Sequence, residues 1–150
     1  MFDDISYHIL DKEDIYLVIP MVSELSEFKV SEEVLKMRFS EMVKQNYECA
    51  VMYYKNDLIG VCGMWFSTRH YCGKSAEIDH VFIKKEYRSK GLGRQFMQWI
   101  YNYAQNRGVE TIELNAYLQN DASHRFYEKE GFRPLAFHFV KSFNGKWPGE

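Results

Sequence analysis

Residues 87–97 read YRSKGLGRQFM, Tyr87 to Met97, and lie between a β-rich run and the clearest helix of the chain. That helix spans Gly91 to Arg107. Leu92, Phe96, Ile100 and Tyr103 line one side of it, and Gly108 stands where a left-handed C-cap is expected. Gly91 and Gly93 admit positive φ and let the backbone approach a ligand closely. The first N–H groups of a helix have no intrahelical partners and sit at the positive end of its dipole, so they favour a phosphate. Arg88, Lys90 and Arg94 place three cations around the same turn. A diphosphate satisfies the amides and the charges together; the competing reading is a glycine-rich turn with solvated basic residues. The dinucleotide fingerprint GxGxxG fails because position 96 is Phe, and no Walker spacing occurs.

Working outward, Ser6 to Leu10 reads as a first strand, and Ile15, Val18, Ile19, Val22 and Leu25 keep helical spacing. Pro20 inside that run kinks or restarts the helix, since an interior proline costs roughly 3 kcal/mol. Ser31 is a candidate N-cap for a second helix carrying Leu35, Phe39, Met42 and Val43. Cys49–Lys55 and Leu58–Phe66 are β-rich runs joined by Asn56-Asp57, read as a two-residue turn, and AEIDHVFI (76–83) follows as a further strand. Beyond the long helix come a strand at Thr111–Ala116, a short helix at Asp121–Glu130 closed by Gly131, and a last strand at Leu135–Phe143. Antiparallel hairpins early and helix crossovers late predict an α/β domain with a mixed sheet.

A chain of 150 residues predicts a single domain, 1–150, able to bury most of its apolar surface without disulfides. With 19 basic and 21 acidic residues the charges nearly cancel, which argues against a general nucleic-acid binder. Cys49, Cys62 and Cys72 lack metal or CxxC spacing and fit a reducing cytoplasm. The acidic start MFDDISYHILDKED carries no long apolar run, so neither a signal peptide nor a membrane span is expected.

Two segments together resemble one family. Arg88-Ser89-Lys90-Gly91-Leu92-Gly93 matches [RQ]xxGxG, similar to the acyl-CoA pyrophosphate loop of the GNAT superfamily of N-acetyltransferases. NDASHRFYEKEGF (120–132) resembles that family's second motif, with Asn120 and Tyr127 seven apart and Gly131-Phe132 closing the helix. The resemblance covers roughly residues 48–143. It implies a mixed, largely antiparallel sheet of about six strands flanked by four helices, with a bulged fourth strand splayed from the fifth. It also implies acetyl-CoA as cosubstrate. The pantetheine arm then pairs with the backbone of Val81, Phe82 and Ile83, the diphosphate lies on Arg88, Ser89, Lys90, Gly91, Leu92, Gly93 and Arg94, and Asn120 bonds the arm or the backbone that opens the next strand. The spacing of Ile78, Val81 and Ile83 gives independent support for a bulge, because a strict period of two breaks near Asp79 or His80.

Acetyl transfer to an amine needs the thioester held beside the amine, a base for the ammonium and a proton for the departing thiolate. The second motif implies Tyr127 as the acid; the competing reading is a packing aromatic beside Phe126. Glu77, eleven residues before Arg88 where the resemblance implies a glutamate base, is the candidate base, its pKa open to elevation by partial burial. His80 and solvent are the alternatives, and the competing roles are a hydrogen-bonded strand-edge carboxylate and an electrostatic anchor for a cationic acceptor. Asp79, His80, Trp65 and Tyr71 are candidate acceptor contacts, and Phe28, Tyr47 and Phe66 are further candidates for the pocket wall. The five histidines show no ligand spacing, so no metal is expected, and no GxSxG elbow or local nucleophile signature favours an acyl-enzyme. The expected acceptor is a small-molecule primary amine, the run SHRFYEKEGFRPLAFHFVKSF being similar to the aminoalkylphosphonate and aminoglycoside branches of the family. A protein N-acetyltransferase and a non-catalytic acyl-CoA-binding module are the alternatives. A homodimer is compatible with the resemblance.

Overall fold

Tyr47, Cys49 and Val51 alternate along one strand with Ala50 and Met52, and all five are buried. Successive strand residues face opposite ways, so this strand is covered on both sides and the sheet is the middle of three layers. The computed structural model describes residues 3–149. Its order is β1 (Ile5–Ile9), a 3-10 helix (Lys12–Val18), α1 (Ile19–Leu25), α2 (Glu32–Met42), β2 (Tyr47–Tyr54), β3 (Asp57–Arg69), β4 (Gly73–Ile83), a 3-10 turn (Lys85–Tyr87), α3 (Leu92–Asn106), β5 (Thr111–Leu114) and α4 (Asp121–Lys129). The chain divides into two compact units, Met1–Glu113 and Leu114–Glu150.

In the first unit the sheet order is β1-β2-β3-β4-β5. Neighbours are antiparallel from β1 to β4, and β5 runs parallel to β4. One face carries Val18, Ile19, Val22, Leu35 and Phe39 from the first helices against Tyr47, Cys49, Val51, Val61 and Phe82. The other carries α3, with the rings of Phe96 and Trp99 stacked on Tyr7 at 5.8 and 5.7 Å. Pro20 restarts the first helical run, which begins as 3-10 and becomes α1 only at Ile19. Ser31 caps α2, its Oγ accepting from Val34 N at 3.2 Å. Gly108 takes the left-handed conformation after α3, with φ of +82°.

Two expectations are corrected. The β2–β3 loop is Lys55-Asn56 rather than Asn56-Asp57, because Tyr54 pairs with Asp57 and Lys55 itself takes positive φ, +55°. Among the described residues the sheet has five strands rather than about six, since Leu135–Phe143 forms no ladder. Leu135, Phe137, Phe139 and Phe143 are all exposed. Alternating side chains define two faces, but only a neighbouring edge that takes the backbone hydrogen bonds makes a strand. The second unit holds α4, with Asn120 at its start and Gly131 (φ +96°) after its end. Among the described residues no helix is long and apolar enough to cross a membrane.

Candidate active site

The β3–β4 ladder pairs Cys62 with Val81 and Met64 with Ile78, so Gly63 alone faces both Asp79 and His80. This two-against-one count is a β-bulge, at the position where the hydrophobic period breaks. A β-carbon on Gly63 would lie 2.3 Å from His80 Nε2, so only glycine leaves room for the ring. His80 Nε2 hydrogen-bonds the Tyr47 hydroxyl at 2.5 Å, and Phe39 packs edge-on at 5.2 Å between centroids. His80 Nδ1 is buried and has no hydrogen-bond partner. Burial pushes the His80 pKa down to about 4 against the pull of the Asp79 carboxylate, so the imidazole is neutral near pH 7. Burial also raises the Tyr47 phenol, which stays protonated.

Glu77 lies directly across from Trp65, and Trp65 Nε1 donates to Asp79 Oδ2 at 2.9 Å. Arg69 Nη2 lies 3.5 Å from Glu77 Oε1. Trp65, Arg69 and Glu77 border an open recess of about 630 Å³ that also includes Asn46 and Ser67. Trp65, Glu77, Asp79 and His80 are therefore brought together around the bulge. Tyr71 is not: it is exposed at the β3–β4 hairpin tip and donates to Glu113, which also accepts from Ser75 Oγ at 2.6 Å. Those hydrogen bonds, Ser75 first and Tyr71 next, hold the Glu113 carboxyl below its ordinary range. Phe28 is exposed and takes no part in the recess. Arg69 was missed from the sequence because the strand was ended at Phe66; carried to residue 69, its alternation places Trp65, Ser67 and Arg69 on one face.

The glycine turn is built as its sequence requires. Gly91 sits at the N-terminus of α3 with φ of +79°, and nothing lies within 4 Å of where its side chain would be. Ser89 also takes positive φ, +61°. Arg88 turns back onto the end of β4: its Nε donates to Ile83 O at 2.7 Å and its guanidinium covers the Phe82 ring at 4.8 Å. Arg88 thus braces the turn at the start of α3. Val81, Phe82 and Ile83 pair with β3 through one edge. On the other side β5 starts beside Lys74, where Glu110 N donates to Lys74 O at 2.8 Å, and it ends four residues later at Leu114. So short a strand covers only the beginning of β4, and the far end keeps an edge suited to an extended ligand. Such an edge leading to a helix start is suited to an extended ligand that ends in an anion.

Cys49 and Cys62 are buried, and burial raises both thiols, Cys49 to about 12. Neither is ionised near neutrality, which disfavours a thiolate nucleophile. Among the described residues no group of three His, Cys, Asp or Glu is placed to hold a metal. In the second unit Asn120 caps α4, its Oδ1 accepting from Ser123 N at 3.1 Å. Tyr127 stands edge-on to Phe126 at 5.2 Å and to Phe132 at 5.6 Å.

The acetyltransferase (GNAT) family matches residues 16–132. An aminoalkylphosphonate N-acetyltransferase of Salmonella typhimurium is 22% identical over 132 residues, covering 87% of this chain and 86% of that one. Glucosamine 6-phosphate N-acetyltransferase 1 of Dictyostelium discoideum is 27% identical over 134 residues, covering 85% and 83%. The fold is similar to that of an aminoglycoside acetyltransferase from an uncultured soil metagenomic sample, solved with trehalose, at a TM-score of 0.78 and 17% identity over 95% of this chain and 99% of that one.

Proposed function

The chain belongs to the GNAT family of acetyltransferases, and from that premise we propose that it moves the acetyl group of acetyl-CoA to a primary amine of a small-molecule acceptor. The observation that carries this reading is the Asp79–His80 bulge, set between the Glu77 recess and the strand edge that leads to the Gly91 turn. The family match runs across residues 16–132, which supports treating 1–150 as one acetyltransferase domain. The buried free thiols of Cys49 and Cys62 fit a reducing cytoplasm.

In this reading the amine nitrogen attacks the thioester carbonyl carbon directly. The N–C bond forms, the C–S bond breaks, and no acyl-enzyme intervenes. The ammonium gives its proton to Glu77, directly or through water, with His80 as the other candidate base. Val81, Phe82 and Ile83 hold the arm by backbone hydrogen bonds, and the Gly91 turn with Lys90 and Arg94 takes the phosphates. Tyr127 protonates the departing thiolate, and Asn120 orders the start of its helix. The small-molecule relatives support an acceptor of that size. Acetyl-CoA consumption read as free thiol over a panel of amines and peptides tests the proposal. Turnover with small amines is expected. Turnover with peptides alone points to a protein acetyltransferase, and coenzyme A binding without turnover points to a non-catalytic module.

A further inference from the structure

The recess beside the bulge holds opposite charges close together. Arg69 and Glu77 approach to 3.5 Å, with their side chains 46% and 34% exposed. Arg69 Nε donates to Ser67 Oγ at 3.2 Å, which anchors the base of the guanidinium, while Nη2 is the group that meets Glu77. Asn46 and Ser67 add neutral hydrogen-bonding groups, and Trp65 forms an apolar wall.

We propose, resting on the acetyl-transfer reading above, that the acceptor carries an acidic group beside its reacting amine: Arg69 takes the acid and Glu77 takes the amine. An ion pair this exposed is weak, so opening it costs little. An amino acid entering between the partners exchanges one weak contact for two charge-assisted ones. A neutral-tailed amine reaching Glu77 offers Arg69 no oxyanion in return, and a polyamine meets the guanidinium as a like charge. The closeness of the two side chains calls for a short spacer of one or two carbons between nitrogen and acid. A carboxylate and a phosphonate offer the same oxyanion chemistry here, since the Arg69 fork accepts either.

The test compares β-alanine and 2-aminoethylphosphonate with two neutral-tailed partners, β-alaninamide and propylamine. Turnover is read as free thiol, and binding to the coenzyme A complex is read by calorimetry. In the wild type both acids, or one of them, should exceed the neutral amines at least tenfold in kcat/KM; the better acid identifies the oxyanion. Arg69→Gln should abolish that preference through KM, and Arg69→Lys should restore part of it. Equal use of neutral and acidic amines, or an Arg69→Gln loss shared by every amine, overturns the proposal while acetyl transfer stands. Preferential binding of the acids without thiol release supports the acceptor class and overturns acetyl transfer instead. Absence of both preference and binding overturns the proposal.

Discussion

The His80 ring occupies the space that a side chain on Gly63 would need, 2.3 Å from its built β-carbon to Nε2. The bulge and the glycine opposite it are thus one device: β4 carries an extra residue, and β3 gives up a side chain to seat the imidazole. Gly63→Ala is expected to destabilise the fold by about 1–3 kcal/mol, the usual cost of overpacking. A second substitution, His80→Ala, should recover most of that loss. Urea unfolding of both single variants and the double variant measures the coupling; strict additivity would show that the two residues do not compete for space.

Stability should fall as pH drops from about 6.5 toward 4, and part of that loss belongs to His80. Its folded pKa lies near 4, below the unfolded value, so between those pH values the unfolded chain binds the extra proton. The stabilisation is complete above the unfolded pKa and is lost as pH falls through the window. The nearby Asp79 carboxylate opposes the shift, and the effect is on the order of 1–2 kcal/mol. Urea midpoints at pH 7 and pH 4.5 should therefore converge in His80→Asn relative to the wild type.

Glu77→Gln should lower kcat by about 10²–10⁴ and flatten the acid limb of the pH–rate profile. The measurement is initial rate against pH at saturating acetyl-CoA. A normal acid limb in the variant transfers the role to His80 or to solvent.

Tyr127→Phe keeps the ring between Phe126 and Phe132 and removes only the hydroxyl. Turnover should fall about 10²-fold while the acetyl-CoA Kd stays within about twofold. Unchanged turnover removes Tyr127 from proton transfer and leaves it a packing ring.

Gly91→Ala meets no neighbour, so its cost is conformational alone: about 1–2 kcal/mol to hold an L residue at φ of +79°. If the turn holds the phosphates only in that shape, acetyl-CoA should bind roughly tenfold more weakly. Calorimetric titration with coenzyme A measures this directly.

Local patterns made much of this protein legible. The Ser31 cap, the restart at Pro20, the apolar side of α3 and the left-handed Gly91 and Gly108 depend on a few neighbouring residues, and each stands where the sequence places it. The break in period before Val81 located the bulge because side chains in a strand must alternate. The expected last strand failed for the opposite reason. Leu135, Phe137 and Phe139 alternate correctly, but a strand exists only where another edge accepts its hydrogen bonds, and no local pattern supplies that edge.

The same division runs through the site. By itself the sequence determined the order of elements as far as α4, the glycine turn before α3 and the family, because turn conformation and helix amphipathicity are short-range properties. Only the tertiary structure decided that Gly63 seats His80, that Tyr47 reaches its Nε2 across 33 positions, and that Arg69 folds back to Glu77. Those contacts join residues on different strands. They arise from register and from the twist of a packed sheet, which a linear reading does not contain.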